Sequence, residues 1–191
     1  MRQVFGFIAL VLIATACSGP EDPEVKESLK SNTERHREMV KTIDSLQTLV
    51  FAEDADMKSP ATGELLKQYL RFAKMFPGDK ERSPEYLYKA AALSRANKLP
   101  VKAVKLYSEI LKKYPNYIKA PEVAFLLAFT YDEDLKQQEE ARKAYQKVVD
   151  DFPGDTWAEQ AEERLKTIDM TDEELMEKFM EKNQKSGDEA S

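Results

Sequence analysis

An aromatic residue followed at once by proline occurs at Phe76–Pro77, Tyr114–Pro115 and Phe152–Pro153, each pair 38 residues from the next. The residue before a proline is driven out of the α region, and proline has no N–H with which to continue a helix. Each pair therefore ends whatever helix precedes it. A stop signal at a fixed interval means a chain assembled from equivalent units. Composition agrees: charged residues are 34% of the chain and only 6 of its 191 residues are glycine, which favours helices over tightly turned strands.

Between the markers, apolar residues recur at three- and four-residue spacing, the period of a helix. In "SPEYLYKAAALSRA", Leu87, Ala90, Ala91 and Ser94 share a face, with Ser83 expected as N-cap and Pro84 at the first helical position. The stretch "NKLP" breaks this helix, and a second one presents Ala103, Leu106, Tyr107, Ile110 and Leu111 before stopping at Pro115. The next unit repeats the plan as "PEVAFLLAFTY", a polar break "DEDLKQQ", and "EEARKAYQKVVDDF". Its Ala141, Tyr145 and Val148 are spaced as Ala103, Tyr107 and Ile110 are, and its internal turn carries one extra residue. Upstream, Leu65, Tyr69 and Phe72 precede Pro77 at the same offsets. The stretch "EDADMKSPATG" is expected as the loop before them, and Met39, Ile43, Leu46, Leu49 and Val50 as the apolar stripe of a still earlier helix. Downstream, Trp157, Ala161, Leu165 and Ile168 trace one amphipathic helix. Thr171 with Glu174 forms a capping box that opens another, and Met170 is placed to staple onto Leu175.

Helical hairpins closed by proline, with small residues at matched positions, resemble the tetratricopeptide repeat. The family's small, Ala, aromatic and Pro positions are filled by Ala91, Ala103, Tyr107 and Pro115 in one unit. In the other they are filled by Ala128, Ala141, Tyr145 and Pro153, with Tyr131 as the aromatic that closes the first helix. The resemblance implies an all-α fold: a short tetratricopeptide-repeat solenoid with a C-terminal capping helix pair, since an uncapped repeat exposes its stacking face. The expected organisation is a signal peptide over 1–16, a disordered tether over 17–24, N-terminal helices with a degenerate repeat over 25–82, two repeats over 83–153, capping helices over 154–182, and a disordered tail over 183–191.

The N-terminus is a different material. Arg2 precedes an apolar run from Val4 to Ile13, which closes on Ala14, Thr15 and Ala16, the layout of a secretory signal. The run is shorter than the roughly 20 residues a membrane span needs. The chain's single cysteine, Cys17, follows immediately. That placement resembles the lipobox of bacterial lipoproteins and implies that Cys17 carries acyl chains, each buried CH₂ contributing about 0.8 kcal/mol to membrane attachment. The alternative is an ordinary cleaved signal that leaves Cys17 as a free thiol. The tether "SGPEDPE" has two prolines and no apolar residue. Removing the signal takes away one Arg and no acid, so the mature chain is more acidic than the formal −6 of the whole.

Chemistry is sparse. One His and one Cys cannot build a Cys/His metal site, and neither a metal nor a cofactor is expected. His36 lies in the charged run "NTERHREM" and reads as part of a solvated helix face. No glycine-rich phosphate loop, nucleophile elbow or zincin motif is present, so no enzymatic activity is expected. With 29 basic against 35 acidic residues the chain is no nucleic-acid binder, which would need clustered Lys and Arg.

The resemblance implies a concave face lined by the first helix of each repeat. The corresponding positions hold Tyr88 and Arg95 in one repeat and Phe125, Phe129 and Asp132 in the next. Phe125 and Phe129 are i, i+4 neighbours on one helix face and read either as groove residues or as core. Arg95 and Asp132 read as partner contacts or as solvated charges. Lipoprotein signal, acidic tether and a few repeats together resemble the outer-membrane assembly lipoproteins of the BamD type, and the periplasmic repeat protein associated with the Tol-Pal system. These resemblances imply a membrane-anchored adaptor that holds protein partners in the bacterial envelope, with Ser18 after the cysteine compatible with export to the outer membrane. A structural lipoprotein that captures glycans or small molecules is the other reading.

Overall fold

The structure, a computed structural model, describes residues 23–52, 59–171, 173, 174, 176, 177 and 180. Among the described residues seven α-helices follow one another: α1 (Pro23–Val50), α2 (Pro60–Met75), α3 (Arg82–Ala96), α4 (Pro100–Lys113), α5 (Ala120–Phe129), α6 (Gln138–Asp151) and α7 (Thr156–Leu165). Between α5 and α6 the chain winds as a π-helical segment, Thr130–Asp134. No strand occurs among the described residues, and the architecture is the all-α repeat solenoid the spacing predicts. The expected signal, Cys17, the 53–58 loop, Leu175 of the expected staple and the 183–191 tail lie outside the described residues. Pro23 and Glu24, expected to be tether, are the first residues of α1. Residues up to Arg35 form one unit, in which Arg35 is bonded to Asn32 and Ser31 along the helix. The second unit runs from His36 and carries everything that follows.

The three aromatic–proline pairs do identical work. Phe76, Tyr114 and Phe152 are the C-caps of α2, α4 and α6, with φ/ψ of −123°/54°, −131°/58° and −131°/51°. Each donates its amide to the carbonyl four residues back, on Phe72, Ile110 and Val148. The following proline then forbids another helical turn. One turn inside each stop, the repeat positions are filled as the spacing requires: Leu65, Tyr69 and Phe72, then Ala103, Tyr107 and Ile110, then Ala141, Tyr145 and Val148 are all 0% exposed. Burying an aromatic or large aliphatic side chain this completely contributes about 1.5–3 kcal/mol.

Each helix from α2 onward packs on its successor, and α7 also reaches α5. Two apolar clusters result. One joins α1, α2, α3 and α4, with Val123 of α5; the other joins Ala124, Phe125 and Ala128 of α5 to α6, α7 and Ile168. Leu111 packs against both. Helix α5 thus serves two cores, which explains why "APEVAFLLAF" is apolar around its circumference. The chain beyond α7 makes the expected capping box: the Thr171 amide donates to Glu174 Oε2 (2.8 Å), and the Glu174 amide to Thr171 Oγ1 (3.3 Å).

Four local expectations are corrected. Ser83 does not cap α3, because the helix starts one residue earlier; Ser83 is buried and donates to the Phe76 carbonyl (2.7 Å). Asp79 takes that role, its Oδ1 accepting from the amides of Glu81 (3.2 Å) and Arg82 (2.8 Å). The loop expected to run to Gly63 ends at Ser59, since Pro60 is already suited to the first helical turn. Leu49 leaves the stripe of α1 and is 59% exposed: Ile43 and Val50, seven apart, define the face, and Leu49 stands a further 100° round the helix. His36 is no solvated residue. Its Nε2 lies 2.9 Å from Asp79 Oδ2, and its ring meets Phe72 and Phe76 edge-on at 5.0 and 4.9 Å.

Candidate functional site

The first helices of the two repeats, α3 and α5, bring their exposed sides to one face. Tyr88 on α3 is half-buried, and its hydroxyl donates to Glu122 Oε1 on α5 (2.6 Å). Lys119 stands over the Tyr88 ring, 4.8 Å from its centre, and bonds Glu85 (2.9 Å), which also accepts from the Tyr117 hydroxyl. Burial first, then the hydrogen bond to Glu122, holds the Tyr88 phenol well above its ordinary pKa, so it remains a donor. For Glu85, burial works to raise the pKa, but the bonds from Tyr117 and Lys119 outweigh it and the carboxyl stays ionised below its usual range.

Arg95, the next-to-last residue of α3, reaches Asp134 at the end of the π segment and lies over the Phe129 ring at 5.0 Å. Arg164 of α7 lies 5.1 Å from the centre of the same ring. It bonds Glu133 (2.9 Å) and approaches Asp132 (4.0 Å). Asp132 in turn accepts from the Tyr145 hydroxyl (3.3 Å). Two guanidinium groups thus contact one aromatic ring, and three successive acids, Asp132, Glu133 and Asp134, hold them there. Wound as a π segment, the lengthened turn sends Asp134 to Arg95 and both Asp132 and Glu133 to Arg164, an arrangement in keeping with the tendency of such segments to mark functional positions.

The candidate residues separate accordingly. Tyr88, Arg95, Phe129 and Asp132 sit together on the first-helix side, all half-buried. Phe125 falls on the core side of its alternative: it is 7% exposed and packs on Tyr145 (5.6 Å) and Trp157 (5.1 Å). Arg95 and Asp132 are not free solvated charges, each being engaged as described. Sequence reasoning missed Glu122, Asp134 and Arg164. For Asp134 the signal was the length of the second repeat, which placed an additional acid where the first repeat turns; Glu122 and Arg164 had none.

An open cleft of about 460 Å³ lies over this face, lined by Tyr88, Ala92, Arg95 and Ala96 of α3, Tyr107 of α4, and Glu122 and Leu126 of α5. A second hollow of about 240 Å³ shares Tyr88, Ala92 and Ala96 and adds Phe51, Lys89 and Leu93. Ala92 and Ala96, small and exposed, keep the floor low enough for an extended chain to lie across it. Mixed charge with apolar hollows suits binding; among the described residues no three His, Cys, Asp or Glu side chains converge on a metal position.

Two stretches of the chain, 85–117 and 122–155, match the tetratricopeptide repeat profile. They cover α3 with α4 and α5 with α6, the helices that build the face. No match to a curated protein is found. Repeats of this type are characteristic of non-catalytic scaffolds that engage other proteins. No helix among the described residues is long and apolar enough to cross a membrane.

Proposed function

We propose that the chain is a lipid-anchored adaptor of the bacterial cell envelope that holds protein partners on the face built by α3, α5 and the π segment. The observation that carries this reading is the cleft at Tyr88, Arg95 and Glu122, which lies within the two matched repeats and continues into the apolar hollow at Phe51 and Leu93. A concave helical surface of this kind suits an extended or helical segment of another protein. The anchor rests on the sequence alone: Arg2, the apolar run to Ile13, the small residues before Cys17, and the acidic tether after it. An anchor at one end and a binding face in the folded part would keep a partner near the membrane, as in assembly of outer-membrane proteins or organisation of the envelope.

Two measurements test the two halves. Radioactive palmitate should label the protein in growing cells, and Cys17→Ala should abolish the label and release the protein from the membrane fraction; label that survives the substitution removes the anchor. Pull-down from detergent-solubilised envelope should return the same protein partners repeatedly, and Arg95→Glu, which places a carboxylate beside Asp134, should lose them. Partners retained at full yield by Arg95→Glu would move the binding face elsewhere.

A further inference from the structure

Tyr69, Tyr107 and Tyr145 stand at the same position of three successive units, and all are fully buried. Their hydroxyl groups fare differently. Tyr69 accepts from Gln47 Nε2 (2.8 Å), and Tyr145 donates to Asp132. The Tyr107 hydroxyl proton has no acceptor: the one polar side chain acting on its oxygen is Arg95, which can only donate, although buried hydroxyl groups are almost always satisfied. The cause is its neighbour. Where the later repeat has Asp132, the earlier one has Arg95, which carries donors and no acceptor and is drawn towards Asp134. Burial pushes the Tyr107 phenol up to about 12, so its proton stays in place at any physiological pH. Tyr107 lines the cleft with its hydroxyl covered in the free protein, beside the Arg95 side chain, so a ligand reaches it as that side chain moves aside; Glu122, which holds Tyr88 through one oxygen and has another, lines the cleft as well.

We propose that this cleft takes an uncharged amide group of an extended partner peptide, its carbonyl oxygen accepting from Tyr107 and its N–H donating to Glu122. The inference rests on the adaptor reading and deepens it. A carboxylate in the same place would meet Glu122 and Asp134; an apolar group would leave the phenolic proton unsatisfied. The adjoining hollow at Phe51 and Leu93, sharing Tyr88, Ala92 and Ala96, receives the apolar side chain that flanks the amide.

The test uses the full chain and a display library of unbiased 12-residue peptides, with Tyr107→Phe, Tyr145→Phe and Glu122→Gln as variants. Peptides selected on the parent chain should bind Tyr107→Phe about tenfold or more weakly, the effect of one lost hydrogen bond in a desolvated site. The melting temperature of Tyr107→Phe should stay level or rise, because the free protein loses no bond, whereas Tyr145→Phe should melt lower. A selected Asn or Gln at a fixed place beside an apolar residue identifies a side-chain amide; apolar residues alone, with the same loss on Tyr107→Phe, identify the main chain. Changing a selected Gln to Glu should weaken binding, and Glu122→Gln should restore it. Equal binding by Tyr107→Phe, a preference for Asp or Glu, or a Tyr107→Phe melt lowered as far as that of Tyr145→Phe would overturn the amide site and leave the adaptor standing. A library that yields no binder would overturn both.

Discussion

The repeat of α3 and α4 and the repeat of α5, the π segment and α6 superpose in sequence through their second helices and part company where their first helices end. Ala103 and Ala141, Tyr107 and Tyr145, and Ile110 and Val148 are equivalent and equally buried. Lys98 and Lys136 take the same left-handed conformation, φ 58° and 55°, one residue before the cap of the second helix. Between those fixed points the earlier repeat closes with Leu99 N–H bonded to the Ser94 carbonyl, while the later one spends one more residue and closes with Gln137 N–H on the Tyr131 carbonyl. The stacking tier is thus insulated from the change, and the difference appears on the face formed by α3, α5 and the π segment. There Asp132 accepts the proton of a buried phenol in one repeat, and Arg95, which can only donate, leaves that of its counterpart without an acceptor in the other.

The largest effect should come from breaking the division between core and face within α5. Phe125→Ala should cost about 3–5 kcal/mol in urea denaturation, the loss expected of a buried aromatic. Phe129→Ala, one turn on, loses its contacts with Arg95 and Arg164 and only part of a packed ring, and should cost less, about 1–2 kcal/mol. Equal losses would return both rings to the core. Next, Ala103→Leu and Ala141→Leu should destabilise by about 1–3 kcal/mol each, and by similar amounts, because both overpack a full tier at equivalent places. Unequal values would mean that the insertion is felt beyond the face.

Smaller effects probe polar partners. Tyr69→Phe and Tyr145→Phe each break one hydrogen bond and should lower stability by about 1 kcal/mol in the same assay. The smallest concerns the "FPGD" turns, in which Asp79 and Asp155 both accept backbone amides at the start of the next helix, Asp155 as the N-cap of α7 and Asp79 from two residues before the N-cap of α3. Alanine at either should cost about 1 kcal/mol at neutral pH. Burial works to raise the Asp79 pKa, but the Arg82 amide, His36 and the Glu81 amide overcome it and hold the carboxyl below its ordinary 3.8. A lowered carboxyl stabilises the folded chain fully above that ordinary value and loses its effect as pH falls below it and through the lowered one, so the Asp79→Ala penalty should begin to shrink below about pH 4. A penalty constant down to pH 2 would mean that the charge of Asp79 contributes nothing.

The stacking tier was legible in the sequence because each of its positions is set by a local rule, helical period on one side and proline on the other. The face was less so. Helix α5 is apolar all round, so periodicity could not tell whether Phe125 or Phe129 pointed inward; only the existence of two cores decides it. His36 pairs with Asp79 across 43 positions, and Arg95 with Asp134 across 39, contacts that no local pattern announces. The extra residue was visible as a length, but its winding as a π segment, and hence the direction of three acids, depends on what surrounds it.

The seam at α5 also governs how the molecule opens. Leu111 touches both clusters, and α5 gives Val123 to one and Phe125 to the other. In native-state hydrogen exchange the amides of α6 and α7 should therefore form one cooperative group and those of α2, α3 and α4 another, with α5 the last to exchange, since its amides are freed only when both groups have come apart. The cleft, built from α3, α4 and the first turns of α5, would then keep its shape when α6 and α7 open first and lose it only when the contact between α4 and α5 parts.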